Sequence, residues 1–477
     1  MMRTPTTIAG SVVLVSAMIT APSAQSPPVL TLEQAVSEAL VKNERMLNQH
    51  DNVEQSALGV RLARNAFQPK VVPNVLGSFG RTDINSQTYR VDVTQKFTTG
   101  TEARFAIGTS TSQIPGVPGV PDTDIHFYNA DTTLALSQPL LRGFGSSVAR
   151  YSLTSAELRR DDASRQQSLI EQQVALEVAS AYYRVVAQQA IVDVARKSLD
   201  RSRRLRDASE AKLDAGLVSQ LDVLRAQQLV SQAEIQLFDA QSAADDARDR
   251  LIFTIGRPSA DSAAAFAVPS EIPRTDDQID VEDAVGIAVS NRLDLKSLVA
   301  TGVEADDRVK YTRNQLLPQV DVNFLLTRRE TADSFQNSFG VDRFRFATFI
   351  NISTPIDRTP QIVDYQNALI DRDRRKRDAD MLRRRIADDV KRAIRERDRL
   401  ERTLLAADTG VEIGRREVEV AQLRYERGLS NNLDVVTAES NLLTLESRRI
   451  ASLADSAVAR LSLRAMLGIL DPRKDVK

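Results

Sequence analysis

The sequence predicts a mainly α-helical protein with a smaller portion of membrane-length β-strands, arranged as one helix–strand–helix unit that occurs twice. Three observations predict this fold class. Blocks of sequence recur at a constant spacing, as in proteins that arose by tandem duplication. Two proline-free stretches of about 67 residues carry apolar residues at helical spacing. Segments that follow two of the 17 prolines alternate polar and apolar residues, the pattern of half-buried strands.

The duplication is visible as four pairs of matching landmarks. They are Leu32–Val36 with Val281–Val285, Pro69 with Pro318, Gly216 with Gly428, and Gly256 with Gly468. The first two pairs share one spacing, and the last two share a shorter one. Insertions therefore separate the matching blocks, and the first repeat carries extra residues around 85–128.

The same landmarks divide the chain into segments. Residues 1–24 are predicted as a secretory signal peptide, because Arg3 precedes a short apolar run at Ile8–Ile19 and small residues around Ala24 suit cleavage. A membrane anchor would need a longer apolar run. The remaining segments are repeat one over 25–256 (strands about 71–138, long helix about 147–214), a linker strap over 257–280, repeat two over 281–470 (strands about 319–354, long helix about 361–427) and a tail over 471–477.

The predicted helices are too long for a globular domain. At 1.5 Å per residue, each long helix extends about 100 Å, so it belongs to a rod or a tube. A returning helix follows each one, over 219–255 and 431–467, and shorter helices precede the strands near 44–67 and 293–316.

The turns between the long and returning helices have well-defined signals. Gly216 and Gly428 suit the left-handed conformation that ends a helix. The N-caps expected after them are Ser219 and Asn431, with Asp222 and Asp434 three residues on in a capping-box-like arrangement. Helix capping alone is therefore one explanation of the two aspartates, and a functional role is the other.

The alternating segments suit strands that cross a membrane. Each is about 9–11 residues long, which fits a tilted spanning strand with one lipid-facing side. Outside the signal peptide no apolar run is long enough for a spanning helix, so entry into a membrane would require strands. Four prolines are predicted at strand–helix joints: Pro69, Pro139, Pro318 and Pro355. An extra hairpin near 89–110 either joins these strands or protrudes from them.

Composition excludes several functions. The 63 basic and 64 acidic residues give no overall electrostatic case for nucleic acid, and acids interleave with the basic run Arg372–Arg402, which favours a solvated, ion-paired helix. The absence of cysteine excludes disulfides and zinc–thiolate sites. The two histidines, His50 and His126, are expected on the surface. With no Walker, HExxH, GxGxxG or nucleophile-elbow motif, we expect no enzyme, no cofactor and no metal.

Several motifs together resemble the outer-membrane efflux protein family, the TolC-like outer membrane factors. They are the duplicated Gly-Leu-x-x-x-Leu-Asp-Val turns at Gly216–Val223 and Gly428–Val435, the repeat starts around Ala35 and Ala284, and Gln138–Gly145. The resemblance implies a homotrimer with an α-helical barrel that is continuous with a shared outer-membrane β-barrel and extends into the periplasm. It further implies a periplasmic adaptor and an inner-membrane pump as partners, in a tripartite efflux or type I secretion system.

The resemblance also implies a gate at the periplasmic tips. The matching residues are Gly216, Leu217, Asp222, Tyr425, Gly428, Leu429 and Asp434. Ser430 stands where the best-known member has a basic residue, and Thr437 where it has a second aspartate. The alternative function is a periplasmic coiled-coil adaptor or structural envelope protein, which would not need a duplicated helix–strand–helix unit.

Overall fold

The computed structural model describes residues 29–78, 85–114, 125–258, 272, 279–332, 334–336, 338 and 344–474. The predicted signal peptide and most of the predicted strap lie outside this range. The helices are α1 (Leu32–Lys42), α2 (Glu44–Asn65), α3 (Ser146–Ala149), α4 (Tyr151–Asp214), α5 (Gln220–Ile255), α6 (Val281–Asn291), α7 (Leu293–Gln315), α8 (Thr359–Glu426) and α9 (Asn432–Met466). The strands are β1 (Lys70–Gly77), β2 (Asn85–Lys96), β3 (Glu102–Ile114), β4 (Ile125–Pro139), β5 (Gln319–Ala332) and β6 (Arg345–Ser353).

The element order repeats, and the predicted fold class is confirmed. Two shorter helices, a group of strands, a very long helix and a returning helix occur in that order in each half. α4 has 64 residues and α8 has 68, so each extends about 100 Å. The helix predicted from about 147 is interrupted at Arg150, where the backbone leaves helical geometry (φ −92°, ψ 0°) and separates α3 from α4. Among the described helices none is long and apolar enough to span a membrane.

The helices pack around small side chains. One apolar cluster joins α1, α4, α5 and α9 through residues such as Val36, Val178 and Leu251, all fully buried. A second cluster joins α6, α8 and α9 around Ile386 and Val390. Fully buried alanines allow close helix contacts in both clusters, which is how long helices without thick aromatic cores remain packed.

Each returning helix ends against the joint between the two shorter helices of its own repeat. Gly256 (φ +86°) follows α5, and a Cβ there would lie 2.7 Å from the carbonyl oxygen of Lys42. Gly468 (φ +70°) follows α9, and a Cβ there would lie 2.9 Å from the backbone nitrogen of Arg292. We call these two contacts the upper junctions. Only glycine has both the backbone conformation and the space required.

The first upper junction also contains an ion-pair network. Arg257 donates to both carboxylate oxygens of Glu38 at 2.9 and 2.5 Å, and Lys42 donates to the same carboxylate at 2.8 Å. The hydrogen bond from Arg257, against some desolvation, lowers the pKa of Glu38 to about 2. Ile287 occupies the matching position in repeat two, so the second junction lacks this carboxylate.

The strands form one antiparallel sheet in the order β1-β2-β3-β4-β5-β6. The extra hairpin of repeat one is therefore part of the sheet, since β2 pairs with β1 and β3 pairs with β4. Strand lengths range from 8 to 15 residues, a wider spread than the predicted 9–11. The longer strands are those of the sheet interior, where both neighbours extend the pairing.

The register gives the sheet two different faces. Directly paired residues lie on the same face, as in the row from Val71 through Val93 and Phe105. The exposed apolar residues of that face are Val71, Val75, Tyr89, Val91, Phe105, Ile107, Leu136, Phe346, Ile350 and Ile352. The opposite face is mostly polar and includes Asn74, Arg90, Asp92, Thr94, Arg104, Asp131, Thr133, Asn323, Thr327 and Asn351. One face thus suits lipid and the other suits water.

Candidate functional site at the helix turns

The turn between α4 and α5 is specified by a left-handed glycine and a capping box. Gly216 has φ +70°, and the next amide, of Leu217, donates to the carbonyl of Lys212 at 2.8 Å, which closes the end of α4. Ser219 then caps α5. The Asp222 amide donates to the Ser219 hydroxyl at 3.4 Å, and the Asp222 carboxylate accepts from the Ser219 amide at 3.1 Å. The predicted capping box of the first turn is confirmed.

The turn between α8 and α9 has the same shape but a different cap. Gly428 has φ +69°, and the Leu429 amide donates to the carbonyl of Arg424 at 2.8 Å. Asn431 accepts only from the Leu433 amide, at 3.1 Å. The predicted capping-box role of Asp434 is therefore wrong, because the Asn431 side chain accepts from the amide of residue 433 instead of that of residue 434, and the Asp434 carboxylate does not bond back to the cap.

The two aspartates consequently differ in environment. Asp222 is 8% exposed and lies inside the turn, with Arg225 at 3.8 Å. Asp434 is exposed, and no hydrogen bond or ion pair among the described residues involves its carboxylate. Of the two carboxylates, that of Asp434 is therefore the one accessible to solvent.

Contacts between the repeats hold the two turns together. The hydroxyls of Tyr425, near the end of α8, and Ser209 in α4 are 2.8 Å apart and both side chains are buried. The Lys212 ammonium lies 4.0 Å from the centroid of the Tyr425 ring and donates to the Tyr425 carbonyl at 2.6 Å. One lysine therefore provides a cation–π contact and neutralises the partial negative charge at the end of α8.

A second contact joins the starts of the returning helices. The Asn432 side chain is completely buried, and its amide donates to the carbonyl of Asp222. Its side-chain oxygen and the buried hydroxyl of Ser430 have no hydrogen-bond partner among the described residues. Such unsatisfied groups cost free energy in the observed state, so the closely packed tips are not fully optimised for stability.

A buried ion pair lies farther along the same helices. Glu439 of α9 is 2% exposed; it accepts from Arg201 of α4 at 2.7 Å and from Gln422 of α8 at 3.1 Å. Three helices from both repeats thus meet at one carboxylate, which lies along α9 among members of an apolar cluster that includes Ala438 and Leu442.

The tips also expose large apolar side chains. Leu217 is 74% exposed and Leu429 is 66% exposed, at equivalent positions of the two turns, and Leu221 and Leu433 are exposed one turn later. The duplicated leucines of the sequence motif therefore contribute little to packing within one chain. Exposed apolar side chains at two matching tips form a candidate interaction surface.

The structure brings together some of the predicted site residues and separates others. Tyr425 and Asp222 take part in contacts between the repeats, whereas Leu217, Leu429 and Asp434 face outward. Sequence reasoning missed the residues that make the contacts: Ser209, Lys212, Asn432, Glu439 and Arg201. No local signal identifies them, although a second asparagine directly after the cap, at Asn432, is unusual for an exposed helix start.

The four predicted joint prolines lie at or near the ends of strands. Pro69 and Pro318 directly precede β1 and β5, Pro139 is the last residue of β4, and Pro355 lies between β6 and α8. A proline at such a place removes no interior ladder hydrogen bond.

No group of side chains in the described residues suits a metal ion. His50 is exposed in α2, and His126 belongs to β4. The features that the tips present to solvent are the leucines at 217 and 429 and the carboxylate of Asp434.

The family profile described as outer membrane efflux protein matches residues 35–257 and 284–469. These ranges cover most of the chain and both repeats. The chain therefore belongs to the outer membrane efflux protein family. A search of curated protein sequences gave no significant match.

Solved structures show the same fold at low sequence identity. The outer membrane protein VceC from Vibrio cholerae is 16% identical, with a TM-score of 0.69 over 92% of this chain and 96% of that one. The CmeC outer membrane channel of Campylobacter jejuni is 14% identical, with a TM-score of 0.67 over 93% and 87%. The open state of the MtrE channel of Neisseria gonorrhoeae is 16% identical, with a TM-score of 0.66 over 92% and 89%.

Proposed function

We propose that three copies of the chain form one duct that carries solutes from a pump across the outer membrane, in a tripartite efflux or type I secretion system. The observation that carries this proposal is the presence, in one chain, of helices of 64 and 68 residues and a sheet with a continuous exposed apolar face. The helices suit a tunnel through the periplasm, and the apolar face suits outer-membrane lipid.

The sheet edges support association of the copies. β1 and β6 are exposed along their whole lengths, and unpaired edges are costly in lipid. Pairing β6 of one copy with β1 of the next satisfies both edges and closes a shared barrel.

The absence of cysteine allows a direct test of this edge pairing. Val72→Cys in β1 is combined in turn with a single cysteine at each position of 345–353 in β6, and the membranes are oxidised. Covalent dimers and trimers are expected at a few positions of one register. The single-cysteine variants are the controls and give no ladder. A protein that extracts as monomers and never cross-links contradicts the proposal.

The joined tips form the periplasmic gate of this duct. The Lys212–Tyr425 and Asn432–Asp222 contacts hold the two hairpins of one chain together, so breaking them lets the tips separate. Gly216, Gly428 and the exposed Leu217 and Leu429 form the outermost surface of these tips, where a periplasmic adaptor linked to an inner-membrane pump docks through apolar contact.

Lys212→Met tests the gate. The substitution removes the cation from the Tyr425 ring and the donor from its carbonyl, so single-channel conductance in planar bilayers is expected to rise. Lys197→Met is the matched control, because Lys197 is an exposed lysine of the same helix and its loss should leave conductance unchanged. Equal conductance in the wild type, Lys212→Met and Lys197→Met contradicts a gating role for Lys212.

Leu217→Ser together with Leu429→Ser tests adaptor docking. Export in cells is expected to fall, while conductance of the purified channel and its thermal stability stay at the wild-type level, because both side chains are exposed. Leu62→Ser is the control, since Leu62 of α2 is equally exposed (74%) and lies far from the tips along the chain. Unchanged export in the double variant excludes docking through these leucines.

Three Asp434 carboxylates in one narrow ring would attract cations. Asp434→Asn is therefore expected to weaken the block of the open channel by divalent cations. Asp193→Asn, at an exposed carboxylate of α4, is the control. If both variants are blocked as strongly as the wild type, Asp434 does not line the pore.

A further inference from the structure

The β2–β3 hairpin of repeat one has no counterpart in repeat two. Repeat one contributes four strands to the sheet and repeat two contributes only β5 and β6. Because the hairpin is inserted between β1 and β4, its polar face continues the water-facing side of the sheet. It adds charged residues to that side, from Arg104 near the start of β3 to Arg90 farther along β2.

The charged residues of the hairpin are linked to its neighbours. The Asp92 carboxylate accepts from Arg104 at 3.0 Å, from Arg90 at 3.2 Å and from Asn74 of β1 at 3.1 Å. Arg90 also lies 3.6 Å from Asp131 of β4. The cluster therefore spans four adjacent strands.

Gly108 gives this cluster its space. A Cβ at Gly108 would lie 3.2 Å from a carboxylate oxygen of Asp131 and 3.3 Å from Cβ and Cγ of Arg90. Gly108 is paired directly with both residues, so a larger side chain would displace the arginine or the aspartate. The glycine thus allows charges on two strands to converge.

The acidic and basic members of the cluster are not equally accessible. The side chains of Asp92 and Asp131 are 12% and 29% exposed, whereas those of Arg90 and Arg104 are 34% and 55% exposed. Asp92 therefore lies beneath Arg104, whereas Asp131 and Arg90 are similarly exposed. Although the four charges balance, the most exposed charge of the cluster is the guanidinium group of Arg104.

We propose that this cluster, which we call the hairpin charge site (Asn74, Arg90, Asp92, Arg104, Asp131), is a fixed-charge site in the barrel wall that favours passage of anionic solutes. The proposal rests on the assembled channel described above. In a closed barrel the site recurs once in each copy, so Arg104 side chains surround the water-filled path. A ring of fixed charge selects ions because it attracts ions of opposite charge and repels ions of like charge. The two carboxylates keep the guanidinium groups in place and prevent them from reaching the lipid-facing side.

Ion selectivity of the reconstituted channel tests the site. The chloride-to-potassium permeability ratio is obtained from the reversal potential in a KCl gradient. Arg104→Gln is expected to lower this ratio about twofold, because the charge of Asp92 is then less compensated. Asp92→Asn is expected to raise it. Other charges on the polar face are identical in all variants and cannot produce opposite changes.

Two further variants separate selectivity from stability. Arg104→Lys keeps the positive charge and should keep the wild-type ratio, and Arg104→Gln combined with Asp92→Asn should return the ratio close to the wild-type value. Equal ratios in wild type, Arg104→Gln and Arg104→Lys, all of which form channels, would overturn the proposal and leave the cluster as a strand-to-strand contact only. A wild-type protein that forms no channel at all would instead contradict the proposed duct.

Discussion

Each returning helix has a left-handed glycine at both ends, and the two ends differ in their surroundings. At the tips, a Cβ added to Gly216 or Gly428 would meet nothing within 4 Å. At the upper junctions, a Cβ on Gly256 or Gly468 would come within 2.7 to 2.9 Å of backbone atoms. At the tips, glycine is therefore required only for the left-handed turn. At the upper junctions it is required for close backbone packing as well. The comparison indicates hairpins whose backbone is tightly enclosed at the upper junctions and open to solvent at the tip glycines.

The side chains around these glycines follow the same division. The upper junctions lie beside buried apolar clusters that include Val36 and Leu251 in repeat one and Leu467 in repeat two. The tips expose Leu217 and Leu429 and leave Ser430 and Asn432 with unsatisfied polar atoms. The proposed gate would need a rigid support and an end that rearranges, and these two requirements match the junctions and the tips respectively.

Gly256→Ala is the strongest test of this comparison. Left-handed strain and the contact with the Lys42 carbonyl together are expected to destabilise the protein by about 3 kcal/mol. Thermal or denaturant unfolding in detergent measures this loss. Gly216→Ala is the matched control, because it carries the strain without the contact and should cost about 1 kcal/mol. Equal losses at the two positions would contradict the difference between junction and tip.

The pH dependence of stability sharpens the comparison between the two junctions. The folded pKa of Glu38, about 2, lies below the ordinary value of 4.5. Its contribution is therefore complete above pH 4.5 and is lost as the pH falls towards 2. At neutral pH we expect the ionised Glu38 to contribute about 2 kcal/mol to the free energy of unfolding. This is less than the whole pKa shift would give, because the pair is partly exposed to solvent.

The measurement compares unfolding midpoints of wild type and Glu38→Gln between pH 7 and pH 2. The two midpoints should converge as the pH falls through this window. Ile287→Ala in the second junction is the control, since no carboxylate lies at that position and its effect should not depend on Glu38 titration. A constant difference across the whole pH range would show that the Glu38–Arg257 pair does not stabilise the first junction.

Tyr425→Phe has the smallest expected effect. It removes the hydroxyl that meets Ser209 and keeps the ring below Lys212, so the loss of stability is expected to be about 1 kcal/mol. Channel conductance should change less than in Lys212→Met, because the cation–π contact remains. A larger rise in conductance for Tyr425→Phe than for Lys212→Met would assign the closing contact to the hydroxyl instead.

The local features of this protein could be predicted from the sequence, and the contacts between repeats could not. The fold class follows from helical periodicity and duplication, and the capping box at Ser219 follows from residue types three positions apart. Lys212 and Tyr425 are far apart in sequence, and their meeting depends on how two long helices rotate against each other. Periodicity does not specify that rotation. The place of the β2–β3 hairpin in the sheet likewise depended on pairing with β1 and β4, which alternation alone does not determine.

The six-stranded sheet does not by itself determine how many copies form the proposed barrel. Its strands alternate in direction, so β1 and β6 run oppositely, and any number of copies could be joined edge to edge with every new pair antiparallel. Strand pairing by itself thus sets no ring size. In the proposed assembly, the angle at which the helical hairpins of neighbouring copies pack would then set the copy number, so we expect substitutions along α5 and α8 to alter it more than substitutions in the strands.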